Sequence, residues 1–340
     1  MVVNSIDDYL KNASVFNVII PSTDHATLKL NYRQSKPHST WLDWGDGSQR
    51  ESFEREGLVE ASHTYADPGE YDITLFAVDE GKIEIAFFGN EYGDDDGYRN
   101  MLVQAVIGID VTKIDDYAFT DCENLESLAF LSDDTEIDNF AFSHCGSLEE
   151  VALPKNLTML SNGVFFDCGS LKKVTLGEST GVIGPNAFYG CANLKTIDLS
   201  TVQKIEVSAF QSCKKLTSVI LNEYATDIED GAFENCTNLR TINLGTKMTN
   251  IGFQAFCNCK ALTDIEIPDT IKTIGGAAFK NCTFVKEIKM AGETAPVLEG
   301  SDAFEGMKNF KITVPRGCRR NYVDETNWTV YADFIEERLV

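Results

Sequence analysis

A phenylalanine recurs through most of the chain at a nearly constant interval. Successive copies are 22 to 25 residues apart. They are Phe119, Phe142, Phe165, Phe188, Phe210, Phe233, Phe256, Phe279 and Phe304. A unit of about 23 residues cannot enclose a core by itself, but stacked units can share one. The interval therefore predicts a repeat solenoid rather than one compact globule.

Each phenylalanine is accompanied by the same residue types at fixed distances. The aliphatic residues five positions before it are Ile114, Ile137, Leu160, Ile183, Ile205, Ile228, Ile251 and Ile274. The residues three positions after it are Cys122, Cys145, Cys168, Cys191, Cys213, Cys236, Cys259, Cys282 and, in the last copy, Met307. The residues six positions after it are Leu125, Leu148, Leu171, Leu194, Leu216, Leu239, Leu262 and Val285. We expect all of them to point into the shared interior.

Apolar pairs nine and eleven positions after the phenylalanine add a second periodicity. Examples are Val174 with Leu176 and Ile197 with Leu199. A period of two puts both side chains on one face of an extended segment. The pattern therefore predicts one short strand per repeat.

The repeat resembles a known family. The stretch from Ile183 through Ala187, Phe188, Cys191 and Leu194 to Leu199 has the pattern I-x-x-x-A-F-x-x-C-x-x-L-x-x-I-x-L, which is similar to the BspA-like leucine-rich repeat. The resemblance covers about residues 103–314. It implies a curved solenoid that works in adhesion or recognition on microbial surfaces, or in phage-derived structural proteins.

Residues at the two ends carry further resemblances. Residues 312–317 followed by Tyr322 and Trp328 are similar to the terminal cap of the same family. Residues 41–48 (WLDWGDGS) and 63–71 (HTYADPGEY) resemble the signature of the polycystic-kidney-disease (PKD) domain, an immunoglobulin-like β-sandwich. Alternating apolar residues on both sides of these motifs also favour strands.

These observations give a mostly β fold class with short helical or 3-10 turns. The expected order is an Ig-like β-sandwich followed by a curved leucine-rich-repeat solenoid. The expected limits are a tail at residues 1–14, the PKD-like sandwich at 15–89, an acidic linker at 90–102, repeats at 103–302, and the last repeat with its cap at 303–340.

Charge and hydropathy exclude some classes of partner. The chain has 53 acidic and 29 basic residues, a formal charge of −24, which repels phosphate backbones. No nucleic acid is expected. Direct membrane insertion is not expected either, because no run of 18 or more apolar residues occurs. Asp7 and Asp8 stand where a secretory signal would begin with basic residues, so no export signal is expected in the sequence as given. Either a leader has been removed or the protein reaches its site by another route.

Few side chains suggest chemistry. Eight of the ten cysteines hold one repeat position and are expected to be buried and inert, whereas Cys257 and Cys318 are expected to be accessible. His63 is interpreted as a structural hydrogen-bonding residue. The run Asp94–Asp96 has two interpretations, a solvated hinge and a calcium site. No pattern nominates a catalytic residue, a metal centre or a cofactor, so no enzyme is predicted.

The residues eight and ten positions after each phenylalanine are expected to face outward on the strands. They vary from repeat to repeat, as a recognition surface would. The predicted ligand-binding residues are Thr196, Asp198, Ser218, Ile220, Thr241 and Asn243. Ile220 is the one large apolar residue at these outward positions, and exposed apolar residues can anchor interfaces.

The sequence therefore predicts a monomeric, non-enzymatic adhesion or recognition protein at the cell surface or outside the cell, with a protein or glycan ligand. A structural component of a phage-derived tail or similar particle is the alternative. A carbohydrate-active enzyme is a third class.

Overall fold

A computed structural model describes residues 11–21, 26–37, 39–54, 56–78, 81–88 and 98–338. The described residues are mostly β, with one four-residue α-helix, which confirms the mostly β class with stacked repeats, whereas the Ig-like sandwich stays a prediction. The chain divides into two compact units, residues 1–157 with 164–179 and residues 158–163 with 180–340. These units do not coincide with the domain limits expected from the sequence, which remain a prediction.

Strands account for most of the regular structure. Those before the repeats are β1 (Ser14–Ile20), β2 (Thr27–Gln34), β3 (Thr40–Asp43), β4 (Glu51–Ser52), β5 (Gly57–Thr64), β6 (Gly69–Ala77) and β7 (Ile83–Phe88). The following ones are β8 (Leu102–Ile107), β9 (Val111–Ile114), β10 (Ser127–Phe130), β11 (Glu136–Ile137), β12 (Glu150–Ala152), β13 (Met159–Leu160), β14 (Lys173–Thr175), β15 (Val182–Ile183), β16 (Lys204–Ile205), β17 (Ser218–Ile220), β18 (Asp227–Ile228), β19 (Thr241–Asn243), β20 (Asn250–Ile251), β21 (Asp264–Ile267), β22 (Thr273–Ile274), β23 (Glu287–Met290), β24 (Val297–Leu298), β25 (Lys311–Val314) and β26 (Ile335–Glu337). The helix α1 is Arg320–Val323, and 3-10 turns span Tyr98–Met101 and Thr329–Phe334.

The strands before the repeats form two mostly antiparallel sheets that continue into the first coils. In one sheet the order is β14-β12-β10-β8-β1-β6-β3-β4, and in the other it is β11-β9-β7-β2-β5. Strand β1 pairs with β8, and β7 pairs with β9. Main-chain hydrogen bonds therefore join residues 14–88 directly to the coils in the same compact unit.

The expected acidic linker at residues 90–102 falls largely outside the described residues, as does the Asp94–Asp96 run. Its described part is the 3-10 turn Tyr98–Met101 and the first residue of β8. Leu102 is fully buried and pairs with Val18 of β1. This end of the segment is therefore part of a sheet.

Residues 14–88 also cover the apolar end of the repeat interior. Phe16 and Phe88 are fully buried, and their rings lie 6.1 and 6.2 Å from the ring of Phe119. A repeat array needs its terminal coils covered, because their apolar edges would otherwise face water. The N-terminal strands thus act as a cap, a role that the sequence did not predict.

Most coils contribute two short strands, not the single strand that the sequence predicted. In each compact unit, one row of them forms what we call the strand face, which comprises β8, β10, β12 and β14 in the first unit and β17, β19, β21, β23 and β25 in the second. The other row contains the aliphatic residue five positions before each phenylalanine, as in Ile228, which pairs with Ile205 and Ile251. These strands are two residues long in most coils, too short for an alternating pattern to be visible in the sequence.

The recurring phenylalanines, cysteines and aliphatic residues are buried as predicted. The rings of Phe188, Phe210, Phe233, Phe256 and Phe279 follow one another at 5.2 to 5.4 Å with interplanar angles of at most 16°. All five are fully buried. Their offset-parallel contacts add to the stabilisation from apolar burial.

The cysteines contribute a hydrogen bond as well as volume. The Sγ of Cys236 donates to the carbonyl oxygen of Phe210 in the preceding coil at 3.1 Å, and Cys259 donates to Phe233 at the same distance. Burial raises the pKa of the Cys122 and Cys168 thiols to about 12. These cysteines are therefore neutral and inert in the folded chain.

The expectation that Cys257 and Cys318 are accessible was wrong. Cys257 is 4% exposed and Cys318 is 9% exposed. Cys257 follows the buried Phe256 on a turn where Glu234 and Lys280 of the adjacent coils are its charged neighbours. The short side chain of Cys257 is buried, whereas larger side chains directly after the recurring phenylalanine in most other coils are half-buried.

The C-terminal segment seals the last coil, as the resemblance implied. Trp328 and Tyr322 are fully buried, and their rings meet edge to face at 5.2 Å. The indole N–H of Trp328 donates to the carbonyl oxygen of Pro296 at 2.8 Å, and the Trp328 ring lies 6.0 Å from that of Phe304. This cap therefore combines apolar cover with satisfied polar groups.

The Phe210→Ala substitution tests the buried column. It should lower the free energy of unfolding by roughly 3–5 kcal/mol, because it leaves a cavity between the rings of Phe188 and Phe233. Phe253→Ala is the matched control: Phe253 is 47% exposed, so its loss should change stability by about 0.5 kcal/mol or less. Urea unfolding followed by circular dichroism measures both. Equal losses would contradict a buried column.

The thiols predict an alkaline loss of stability. The unfolded chain loses its thiol protons near pH 9.0, whereas the folded chain keeps those of Cys122 and Cys168 to about pH 12. Deprotonation therefore favours the unfolded state, and stability falls as pH rises above 9.0. In a Cys122→Ala/Cys168→Ala double variant the slope of unfolding free energy against pH, measured under reducing conditions, should be shallower by about 2.7 kcal/mol per pH unit. An unchanged slope would show that the thiols are not shielded.

Candidate functional site

Four of the predicted ligand-binding residues lie side by side on two paired strands. Strands β17 and β19 are parallel, with Ser218 opposite Thr241 and Ile220 opposite Asn243. Ile220, Thr241 and Asn243 are exposed and Ser218 is half-buried. Val219, between the two outward residues of β17, is 1% exposed. The alternation of inward and outward side chains is therefore as the sequence predicted.

Thr196 and Asp198 extend this patch by one coil. An isolated bridge pairs Leu199 with Leu221, which places Asp198 and Ile220 one position earlier on adjacent segments. Both Thr196 and Asp198 are exposed. The structure thus brings all six predicted residues together, although residues 196–199 form bridges and not a continuous strand. We call these six residues the strand-face patch.

Two polar side chains of the patch also fix the turns that follow their strands. Asp198 Oδ1 accepts a hydrogen bond from the backbone N–H of Ser200 at 2.9 Å, and Asn243 Oδ1 accepts one from Gly245 at 3.0 Å. The backbone and hydroxyl hydrogen bonds from Ser200 lower the pKa of Asp198, because they favour its ionised form. Asp198 therefore presents a fixed negative charge at neutral pH.

Ile220 supplies the apolar centre of the patch. Its side chain is 66% exposed, and it stands between the polar side chains of Asp198 and Asn243 on the neighbouring segments. Tyr224, four residues later, is 60% exposed, and its backbone N–H donates to Asn222 Oδ1 at 2.8 Å. The sequence analysis missed Tyr224. Its signal was a large aromatic residue in the turn directly after an outward strand.

Residues of the two N-terminal motifs, 41–48 and 63–71, contact one another through hydrogen bonds and ring stacking. His63 Nε2 lies 2.7 Å from Asp46 Oδ2, and the His63 ring stacks on Trp44 at 5.2 Å. Burial opposes ionisation of Asp46, but hydrogen bonds from Ser48 and His63 outweigh it and lower its pKa to about 2. Tyr65 donates its hydroxyl proton to the carbonyl oxygen of Trp44 at 2.9 Å. His63 is therefore the hydrogen-bonding residue that the sequence analysis expected.

Within the described ranges, no group of three or more histidine, cysteine, aspartate or glutamate side chains is arranged to hold a metal ion. The Asp94–Asp96 run lies outside these ranges, so the calcium interpretation stays a hypothesis. The described part of the chain also contains no helix long and apolar enough to cross a membrane.

The repeats of this chain match a known protein family. Residues 98–217 and 203–320 match the model of the BspA type leucine rich repeat region, in six copies. No curated protein sequence matches the chain. The match covers the repeats alone, so the resemblance of residues 15–89 to the PKD domain remains a prediction.

Solved structures of bacterial repeat proteins resemble this chain. A leucine-rich repeat protein from Bacteroides ovatus is 24% identical, with a TM-score of 0.50 over 70% of this chain and 66% of that one. A leucine rich cell surface protein from Faecalibacterium prausnitzii is 22% identical, with a TM-score of 0.34 over 70% of this chain and 92% of that one. A leucine rich repeat protein from T. pallidum is 21% identical, with a TM-score of 0.42 over 60% of this chain and 83% of that one. The likeness to the Bacteroides protein supports the repeat fold alone.

The Ser200→Ala substitution tests the turn that holds Asp198. Removing the hydroxyl should raise the pKa of Asp198 part of the way to its ordinary value, since the backbone N–H of residue 200 still donates. A lowered pKa stabilises the folded state at neutral pH, and this contribution is lost as pH falls through the folded midpoint. NMR titration of the carboxyl carbon measures the shift, and Asp198→Asn identifies the resonance. An identical midpoint in both proteins would contradict the assigned hydrogen bond.

Proposed function

The chain belongs to the BspA-type leucine-rich repeat family, and on that premise we propose that it is a non-enzymatic recognition protein that binds a protein or glycan through its strand-face patch. Its place of action is the bacterial cell surface or the medium outside the cell. The observation that carries this proposal is the exposure of Ile220 at the centre of ordered polar side chains.

The patch has the composition of a small interface centre. One large aliphatic side chain lies among hydroxyl, amide and carboxylate groups, and desolvating such a residue can supply much of the energy of a contact. The polar neighbours add direction, because Asp198 accepts hydrogen bonds with a fixed charge. Strands β17 and β19 hold these groups on a backbone ladder, so little conformational entropy is lost on binding.

The remaining features of the chain favour recognition over catalysis. The matched family is defined by its repeat, and the residues at the recurring inward positions are buried in the interior. The outward positions change from coil to coil, whereas the inward positions keep their residue types. A PKD-like N-terminal module would fit the same role, because such domains commonly serve as spacers or contact modules.

An array of glycans and extracellular proteins, probed with the full chain, tests this function. The Ile220→Glu variant should lose its strongest ligand, because a charge replaces the apolar anchor. The matched control is Phe284→Glu, since Phe284 is 62% exposed but lies outside the strand face. The control should keep the ligand. Binding that survives Ile220→Glu would contradict the proposed surface, and the absence of any ligand would contradict the proposed function.

A further inference from the structure

A groove of about 570 Å³ lies beside the second row of strands, and none of the residues that line it belongs to the strand-face patch. It belongs to the compact unit of residues 158–163 with 180–340. We call it the lysine groove and define it by Lys247, Thr249, Thr270, Lys272, Thr294 and Val297, which line it. Its volume is within the range of about 300–1,000 Å³ typical of small-ligand sites.

Three adjacent coils form the floor of this groove in register. The backbone N–H of Thr249 donates to the carbonyl oxygen of Thr226 at 2.8 Å, that of Lys272 to Thr249 at 2.9 Å, and that of Val297 to Lys272 at 2.8 Å. Strands β20, β22 and β24 continue the same pairing. The lining side chains therefore project from a fixed ladder.

The groove carries two positively charged lysines, although the chain has a formal net charge of −24. Among the described residues, no carboxylate forms an ion pair with either ammonium group. Lys204, in an earlier coil of the same strand row, shows the alternative arrangement: its Nζ lies 2.9 Å from Glu206 Oε1 and 2.7 Å from Glu229 Oε1. Lys247 and Lys272 are both exposed, so their N–H donors remain available to an anionic ligand.

The threonines add acceptors beside these donors. Thr249 Oγ1 donates to the carbonyl oxygen of Thr226 at 3.2 Å, and Thr270 Oγ1 donates to Met248 at 2.7 Å. Their protons are committed to the backbone, so their oxygens are left to accept hydrogen bonds from a ligand. A ligand that has hydrogen-bond donors, such as hydroxyl groups, as well as an anionic group would engage both the threonines and the lysines.

Apolar surface completes the lining. Val297 is 62% exposed at one end of the groove. Ala295 also lines the groove and is half-buried. Aliphatic groups at these places can pack on the C–H faces of a sugar ring.

We propose that the lysine groove binds an acidic glycan, with the two lysines on its carboxylate groups and the threonine oxygens on its hydroxyls. Asp269, which also lines the groove, accepts a sugar hydroxyl at the cost of some repulsion of the anion. An acidic peptide offers the threonine oxygens its backbone N–H groups, but it lacks the ring hydroxyls that can donate to these oxygens and also accept from the lysines. The site uses none of the residues of the strand-face patch and stands independently of the function proposed above.

Calorimetric titration of the full chain with oligogalacturonate of four residues tests this proposal. Binding should weaken with added salt, and the Lys247→Ala/Lys272→Ala variant should weaken it by about tenfold or more. The matched control is Lys214→Ala/Lys260→Ala, which removes two exposed lysines outside the groove and should bind as the unmodified chain does. Asp269→Asn should bind the oligosaccharide more tightly. Ile220→Glu should leave binding unchanged, which separates this site from the strand-face patch.

Three results would overturn the proposal. One is the absence of binding at millimolar oligogalacturonate, and another is equal binding of a neutral oligosaccharide of the same length. The third is equally tight binding of tetraglutamate, which would assign the groove to acidic peptides. Melting curves of each variant show whether the fold is intact, and the charge-reversed variant Lys247→Glu/Lys272→Glu provides a second test at positions where both side chains are exposed.

Discussion

Contact between phenylalanine rings of successive coils is the interaction on which the structure depends. In residues 188–304 each ring lies 5.2 to 5.9 Å from the next. A ring has both faces covered only when a coil lies on each side of it, so a coil has no stable interior alone. Both ends of the repeats therefore need a cover. Phe16 and Phe88 provide one beside Phe119, and Trp328 provides the other beside Phe304.

Because the inward side chains supply the contacts between coils, the outward side chains have no packing role. The inward residues must keep their size and polarity because neighbouring coils contact them. A buried thiol such as that of Cys236 also donates a hydrogen bond to a carbonyl oxygen of the preceding coil. Outward residues such as Ile220 and Lys272 meet no such demand. A rigid array with variable outer residues can therefore carry separate surfaces on separate faces, one centred on an apolar residue and one on a pair of cations.

The sequence predicts the parts of this structure that recur. The inward columns, the outward alternation at β17 and β19, and the C-terminal cap were all visible because they repeat or end a repeat. The cap formed by Phe16 and Phe88 was not visible, since neither residue obeys the period. The second row of strands was missed because its members are mostly two residues long.

The two candidate sites also differ in how far the sequence could predict them. The six strand-face residues could be predicted because strand geometry alone decides which residues point outward. The lysine groove could not be predicted, because Lys247 and Lys272 hold different positions within their coils, and the sequence does not reveal the backbone hydrogen bond between Lys272 and Thr249 that sets the register of these coils. Cys257 was misjudged for a related reason: whether a thiol is exposed depends on longer side chains in adjacent coils.

Hydrogen exchange at the phenylalanine amides is the most direct test of the shared interior. The N–H of Phe210 donates to Ala232 and that of Phe233 to Ala255, both at 2.8 Å, so each bond joins one coil to the next. If neighbouring coils share one interior, these amides should exchange as slowly as global unfolding allows, and together. Exchange at the rate of exposed turns, or at independent rates in successive coils, would contradict the account.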